Sequence, residues 1–188
     1  MSFGYCQHKF DANDSKKYQE QLNVEFADAK TSPLAPDDLA AFKTLDFYPI
    51  TEKFCVIAKL IRTKDEKPFE MVTSTRRRPL YIKYGEVSFG IDGKTFTLKV
   101  YQSVDYSSQK GHEDDLFLPF FDLTCGKDSY IGGRYLDLIA PKDDKILIDF
   151  NKAYNPYCAY SHNYSCPKVP FENDLKIEIQ AGVKKFED

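Results

Sequence analysis

The sequence predicts an α+β fold: N-terminal helices packed on a curved, mostly antiparallel β-sheet or barrel-like β core. Three observations carry this. Helical periodicity is confined to the first part of the chain, strand alternation dominates from Leu45 onward, and Asp92-Gly93 joins two alternating segments as a tight hairpin turn. Helices that do not alternate with strands argue against a parallel sheet.

The elements follow in order. Residues 1–14 read as a flexible N-terminal tail, and residues 15–188 as a single β-rich domain. The tail is either a frayed terminus or the trimmed stub of an export signal, with Cys6 near a lipid-attachment position. Ser15 to Lys30 forms a helix capped by Asp14 or Ser15, with Tyr18, Leu22 and Phe26 as one apolar stripe. Ser32-Pro33 ends it. A short helix follows, with Pro36 in its first turn, Asp37 and Asp38 at its positive end, and Leu39 and Phe42 available for packing.

The run from Phe54 to Ile61 has the length of a strand. Leu80, Ile82 and Tyr84 alternate with polar neighbours, and so do Val87, Phe89 and Ile91. Asp92-Gly93 supplies the two positive-φ residues of a type I′ turn, and Phe96, Leu98 and Val100 resume the alternation. Phe117 to Phe121 surrounds Pro119 and reads as an edge or irregular strand. Tyr135–Ile139, Lys145–Phe150 and Leu175–Gln180 complete a set of about seven to nine strands.

Composition narrows the function. A net charge of −3 gives no electrostatic case for nucleic acid, and no segment approaches the roughly 20 apolar residues of a spanning helix. Fifteen Phe and 13 Tyr supply core area although Trp is absent. The five cysteines fit no complete disulfide framework.

The chemistry concentrates in residues 149–167, which hold four Tyr, three Asn, two Cys, one His and two Pro. Three readings compete. The stretch is a structural loop whose tyrosines roof the core, or a ligand-pocket wall presenting Asn151, Tyr154, Asn155 and Tyr160, or a zinc site built from Cys158, His162 and Cys166. The last has an uncommon spacing and no obvious fourth ligand. Cys158 can also be a nucleophile with His162 as base, or pair with Cys166 in a disulfide of a short loop. Upstream, Gly132-Gly133 allows close backbone approach to a ligand and Arg134 can bind its carboxylate or phosphate. The arginines at 76–78 are either a solvated loop or a further anion contact.

These residues also carry a resemblance. Phe117-Leu118-Pro119-Phe120, Gly126-Lys127, Tyr130, Gly132 to Asp137, Asp149 to Pro156, Cys158-Ala159-Tyr160 and Cys166-Pro167 resemble a bacterial and archaeal group known as domain of unknown function sixteen-eighty-four. The likeness spans roughly Tyr18 to Phe186. It implies no activity. Bacterial members of similar length often follow export or lipoprotein signals, so it implies a cell-envelope or periplasmic location and a lipid anchor in a precursor. The chain as written, without a working signal, reads as cytoplasmic. Ile131 stands where the family pattern has a small residue, and His162 is not a general feature of it, which counts against His162 as a metal or catalytic residue.

The expectation is therefore a module that binds a small, anionic molecule through Arg134, Gly132, Gly133, Asn151, Tyr154, Asn155 and Tyr160, without a cofactor. The alternatives are a hydrolase or a metal- or thiol-dependent enzyme using Cys158, His162 and Asp149, and a structural or protein-interaction domain.

Overall fold

The structure, a computed structural model, describes residues 9–186. Cys6 and the start of the tail lie outside the described residues. Helix α1 (Ala12–Ala27) begins ahead of the expected Ser15, because Asp11 caps it by accepting the Asn13 N–H at 2.9 Å. Ser15 is instead fully buried in its first turn and donates to Asp149 Oδ2 at 2.6 Å. Helix α2 (Pro36–Ala41) starts on its proline with two aspartates in the first turn. No helix among the described residues is long and apolar enough to cross a membrane.

The remaining framework is a curled, antiparallel, seven-stranded sheet. Its strands are β1 (Cys55–Arg62), β2 (Phe69–Glu70), β3 (Leu80–Ile91), β4 (Lys94–Ser103), β5 (Asp115–Phe120), β6 (Arg134–Ile139) and β7 (Lys145–Asp149). They lie in the order β6-β5-β4-β3-β1-β7, with β2 paired to β3. Asp92 and Gly93 both have positive φ, 51° and 73°, as a two-residue hairpin between β3 and β4 demands.

Strand β3 merges the two alternating segments of the sequence. Their apolar residues have opposite parity, and a register shift between Lys83 and Gly85 accommodates the change. Gly85 makes the bulge possible: a Cβ there would lie 2.5 Å from the Ile61 carbonyl oxygen of β1.

Strand β5 around Pro119 is interior to the sheet but irregular, the second of the two expected forms. The ladder to β6 runs the whole strand, while that to β4 has the single pair Tyr101–Phe117. Asn173 fills the opening. Its Oδ1 accepts the Lys99 N–H at 2.7 Å, and its Nδ2 donates to the carbonyls of Lys99 and Pro119 at 2.8 and 2.7 Å. A side-chain amide thus replaces the ladder where proline has no N–H to give.

Leu175–Gln180 is no strand of the sheet, contrary to its clean alternation. Leu175 and Ile179 are buried as expected, but the backbone is held by scattered bonds: Leu175 N–H to Phe121 O, Leu123 N–H to Ile177 O, and Ile179 N–H to the Asp122 carboxylate. Two apolar clusters result. The larger lines the inside of the sheet with Leu98, Val100, Leu118, Leu136, Ile148 and Phe150. The smaller seats the α1 stripe, with Leu22 and Phe26 against Tyr160 and Val183. Burying each such side chain stabilises by about 1.5–3 kcal/mol.

Candidate functional site

Alternation along β5 and β6 sends Leu116, Leu118, Leu136 and Leu138 inward. Phe117, Tyr135 and Asp137 belong to the opposite face, where they line a cleft of about 750 Å3. Tyr18 and Glu25 of α1 close one side of it, and Tyr154, Tyr157 and the 164–167 segment close another.

The wall is aromatic and ordered. The Tyr135 ring meets Phe117 edge-on with centroids 4.7 Å apart, and meets Tyr154 at 5.8 Å and 88°. Tyr135 Oη donates to the Pro167 carbonyl, and its burial pushes the phenol pKa up. Tyr154 Oη donates to Asp137 Oδ2 at 2.9 Å. Asp137 is open to the cleft yet ringed by protein atoms. This desolvation raises its pKa, Asp115 adds to the rise, and the Tyr154 bond opposes it. The phenols of Tyr18, Tyr81, Tyr154 and Tyr157 are likewise pushed up by burial, so all remain protonated donors. Carboxylates dominate the lining: Glu25, Asp105, Asp115 and Asp137 stand against the guanidinium of Arg77. That guanidinium is already committed to Ser165, donating to its carbonyl at 2.9 Å.

Of the residues expected to bind, the cleft receives Tyr154. The others have structural employment. Arg134 is fully buried, 3.2 Å from the equally buried Asp122, and donates to the carbonyls of Ile179, Ala181 and Val183. It cannot receive an external anion, because no part of its side chain reaches solvent. Gly132 and Gly133 serve close packing rather than ligand approach. A Cβ on Gly132 would sit 2.3 Å from the Tyr130 ring, and one on Gly133, whose φ is 85°, would meet Val169 at 2.6 Å and the Phe120 carbonyl at 2.7 Å.

Asn151 is fully buried, and its amide exchanges hydrogen bonds with both backbone groups of Thr51. Asn155 is buried with Nδ2 on the Lys184 carbonyl and the Tyr160 hydroxyl. Tyr160 is buried edge-on against Phe26, centroids 4.8 Å apart. Asp149 accepts from Ser15, from the Asn151 N–H and from Asn151 Nδ2, which occupies it as a cap.

The two cysteines of the segment do meet. The Cys158 N–H donates to Cys166 Sγ at 3.2 Å, and both are free thiols. His162 is exposed on the intervening turn. No group of three or more His, Cys, Asp or Glu among the described residues is arranged to hold a metal ion.

Asp137 is a cleft residue that local sequence patterns did not single out. Its signal was the single carboxylate inside the apolar strand Tyr135-Leu136-Asp137-Leu138. Tyr18 only half obeys the packing stripe expected of it: α1 buries Leu22 and Phe26 while Tyr18 borders the cleft.

No curated protein matches the chain. Among solved structures, it is similar to the solution NMR structure of an uncharacterized protein from Haloarcula marismortui, at 30% identity over 92% of each chain with a TM-score of 0.71. The model of the family described as protein of unknown function (DUF1684) matches residues 40–184. That span takes in the whole sheet, the buried Arg134–Asp122 pair and most of the cleft wall, and the chain belongs to this family.

Proposed function

We propose that this domain is a small-molecule-binding module whose ligand is an organic cation, held in the cleft between α1, β6 and the 154–167 segment. The observation that carries the reading is the juxtaposition of the Tyr135 and Tyr154 rings with the Asp137 carboxylate. Aromatic faces attract a cation by about 0.5–1 kcal/mol when exposed and about 2 kcal/mol when desolvated, and Asp137 supplies the counter-charge. The cleft's volume falls within the range of small-ligand sites. The ligand charge is opposite to the sequence expectation, which rested on Arg134. With that side chain sealed and carboxylates in the majority, an anion would be repelled.

The test is an NMR titration with choline, its neutral isostere 3,3-dimethyl-1-butanol, and pivalate. Choline is expected to move the ring resonances of Tyr18, Tyr135 and Tyr154 and to bind about tenfold more tightly than the neutral isostere, equivalent to ~1.4 kcal/mol. Asp137→Asn, which keeps an acceptor for Tyr154 while removing the charge, is expected to abolish that preference. Pivalate binding as well as choline, or resonances outside the cleft responding instead, would refute the reading.

A further inference from the structure

Two thiols eight residues apart in sequence are brought into contact in the wall of the protein, and nothing in the cation-binding reading uses them. Three separate stretches build the site. The Cys158 N–H points at Cys166 Sγ, 3.2 Å away. The neighbouring Cys166 thiol and the Tyr130 and Ser74 hydroxyls favour the thiolate form of Cys158. Ser74 is itself fixed by the same segment: its N–H donates to the Cys166 carbonyl at 2.8 Å, and its Oγ accepts the Cys166 N–H at 3.1 Å. Cys158 is half-buried and Cys166 buried, so Cys158 is the more accessible of the two.

We propose that Cys158 and Cys166 form a reversible dithiol–disulfide pair that reacts with low-molecular-weight disulfides, with Cys158 attacking and Cys166 resolving. In the first step the Cys158 thiolate displaces one thiolate from the external disulfide and becomes a mixed disulfide. In the second, Cys166 loses its proton and its sulfur attacks Cys158, expelling the second external thiolate. The protein loses two protons and two electrons, which convert the external disulfide into two thiols.

The electrostatics agree with this division of labour. The Cys166 thiol beside it holds Cys158 down at about 6, while Cys166 is pushed up by Cys158 and by burial. Tyr130, pushed up to about 12 by burial and by the neighbouring Cys158, keeps its proton. Among the described residues the competing thiols are disfavoured, since burial pushes Cys55 up to about 12 and raises Cys125 as well.

Reaction rate is a weak readout. At pH 7 a thiolate of pKa about 6 is roughly 30-fold more abundant than that of an ordinary thiol near 8.5, but its lower basicity reduces intrinsic nucleophilicity by about 10–18-fold. The net gain is only about two- to threefold, so the pH profile and the cross-link map carry the test.

The full chain is alkylated with iodoacetamide across pH 4–10 and each cysteine is followed by peptide mass spectrometry. Cys158 is expected to reach half-maximal modification near pH 6, about 2.5 pH units below an unperturbed thiol. Oxidised glutathione is expected to produce a Cys158–Cys166 disulfide that dithiothreitol reverses. Cys166→Ala should instead trap glutathione on Cys158. A Cys158 profile centred near 8.5, a stable mixed disulfide in the unsubstituted protein, or a cross-link to another cysteine would each overturn the proposal. All three are read on the unsubstituted chain and so stand even if the variant fails to fold.

Discussion

Removing the Arg134 guanidinium while keeping its aliphatic stem, as in Arg134→Met, separates a structural arginine from a ligand-binding one. Arg134 and Asp122 both have no exposed side-chain surface. The substitution leaves the Asp122 carboxylate without its cation and takes the donors from the carbonyls of Ile179, Ala181 and Val183. Orphaning one member of a buried pair costs about 3–5 kcal/mol. For a chain of this size each kcal/mol lowers Tm by about 2–4 °C, so a fall of about 6–20 °C is expected by calorimetry. That is a large share of a typical stability of about 5–15 kcal/mol. Adding Asp122→Asn, which retains an oxygen for the Ile179 N–H but removes the stranded charge, should recover about 1–3 kcal/mol. A loss below about 1 kcal/mol for Arg134→Met, or no recovery in the double variant, would refute the account of a sealed pair. So would a variant that folds normally but has lost ligand binding.

Four further outcomes follow from the geometry. Gly85→Ala drives a Cβ to 2.5 Å from the Ile61 carbonyl and 3.0 Å from Leu60 Cδ1; urea unfolding should show a loss of about 1–3 kcal/mol with an unchanged m value. Asn173→Ala orphans the Lys99 N–H and the Lys99 and Pro119 carbonyls, so a loss of about 3 kcal/mol and faster hydrogen exchange at Lys99 are expected. Asp137 holds its proton to higher pH folded than unfolded, so its contribution makes stability fall as pH rises through that window, and Asp137→Asn should flatten this slope in pH-dependent melting. Cation affinity should run the other way, declining as pH drops through the raised Asp137 pKa, because protonation removes the counter-charge.

What the sequence disclosed was what alternation and turn chemistry encode over a few residues. The β3–β4 hairpin was legible because Asp92-Gly93 needs no distant partner. The change of parity between Tyr84 and Val87 was also present, though its meaning as one bulged strand rather than two depends on the β1 backbone passing close to Gly85. Leu175–Gln180 misled for a related reason. Alternate burial reports an extended backbone, and it is silent on whether the partner is a ladder or the side chains of Asp122 and Arg134. Local chemistry is ambiguous without depth. Two glycines beside an arginine suit a ligand loop, but they equally suit a turn packed under Tyr130 and Val169 that delivers a charge to a buried partner. Asp122 lies 12 residues before Arg134, and Ile179 lies 45 after it. No local window contains that network.

The 149–167 segment shows why a structural and a functional reading of one stretch need not compete. Strand β6 has a free edge at one end of the sheet, and β7 lies at the other. The chain leaving β7 crosses to that edge, where Tyr154 and Tyr135 exchange both backbone hydrogen bonds at 2.9 and 3.0 Å. An exposed edge is thereby covered. The same crossing builds the floor on which α1 rests, through Asp149 to Ser15, the Asn151 carbonyl to Gln19, and Tyr160 to Phe26. Once Asp149, Asn151, Asn155 and Tyr160 are committed to this work, alternation leaves Tyr154 facing outward beside Asp137, and the next turn brings Cys158 to Cys166. The buried polar residues therefore make the site without entering it. They hold the helix and the β6 edge at the separation that creates the cleft, so their substitution should be felt first as stability and only through it as binding.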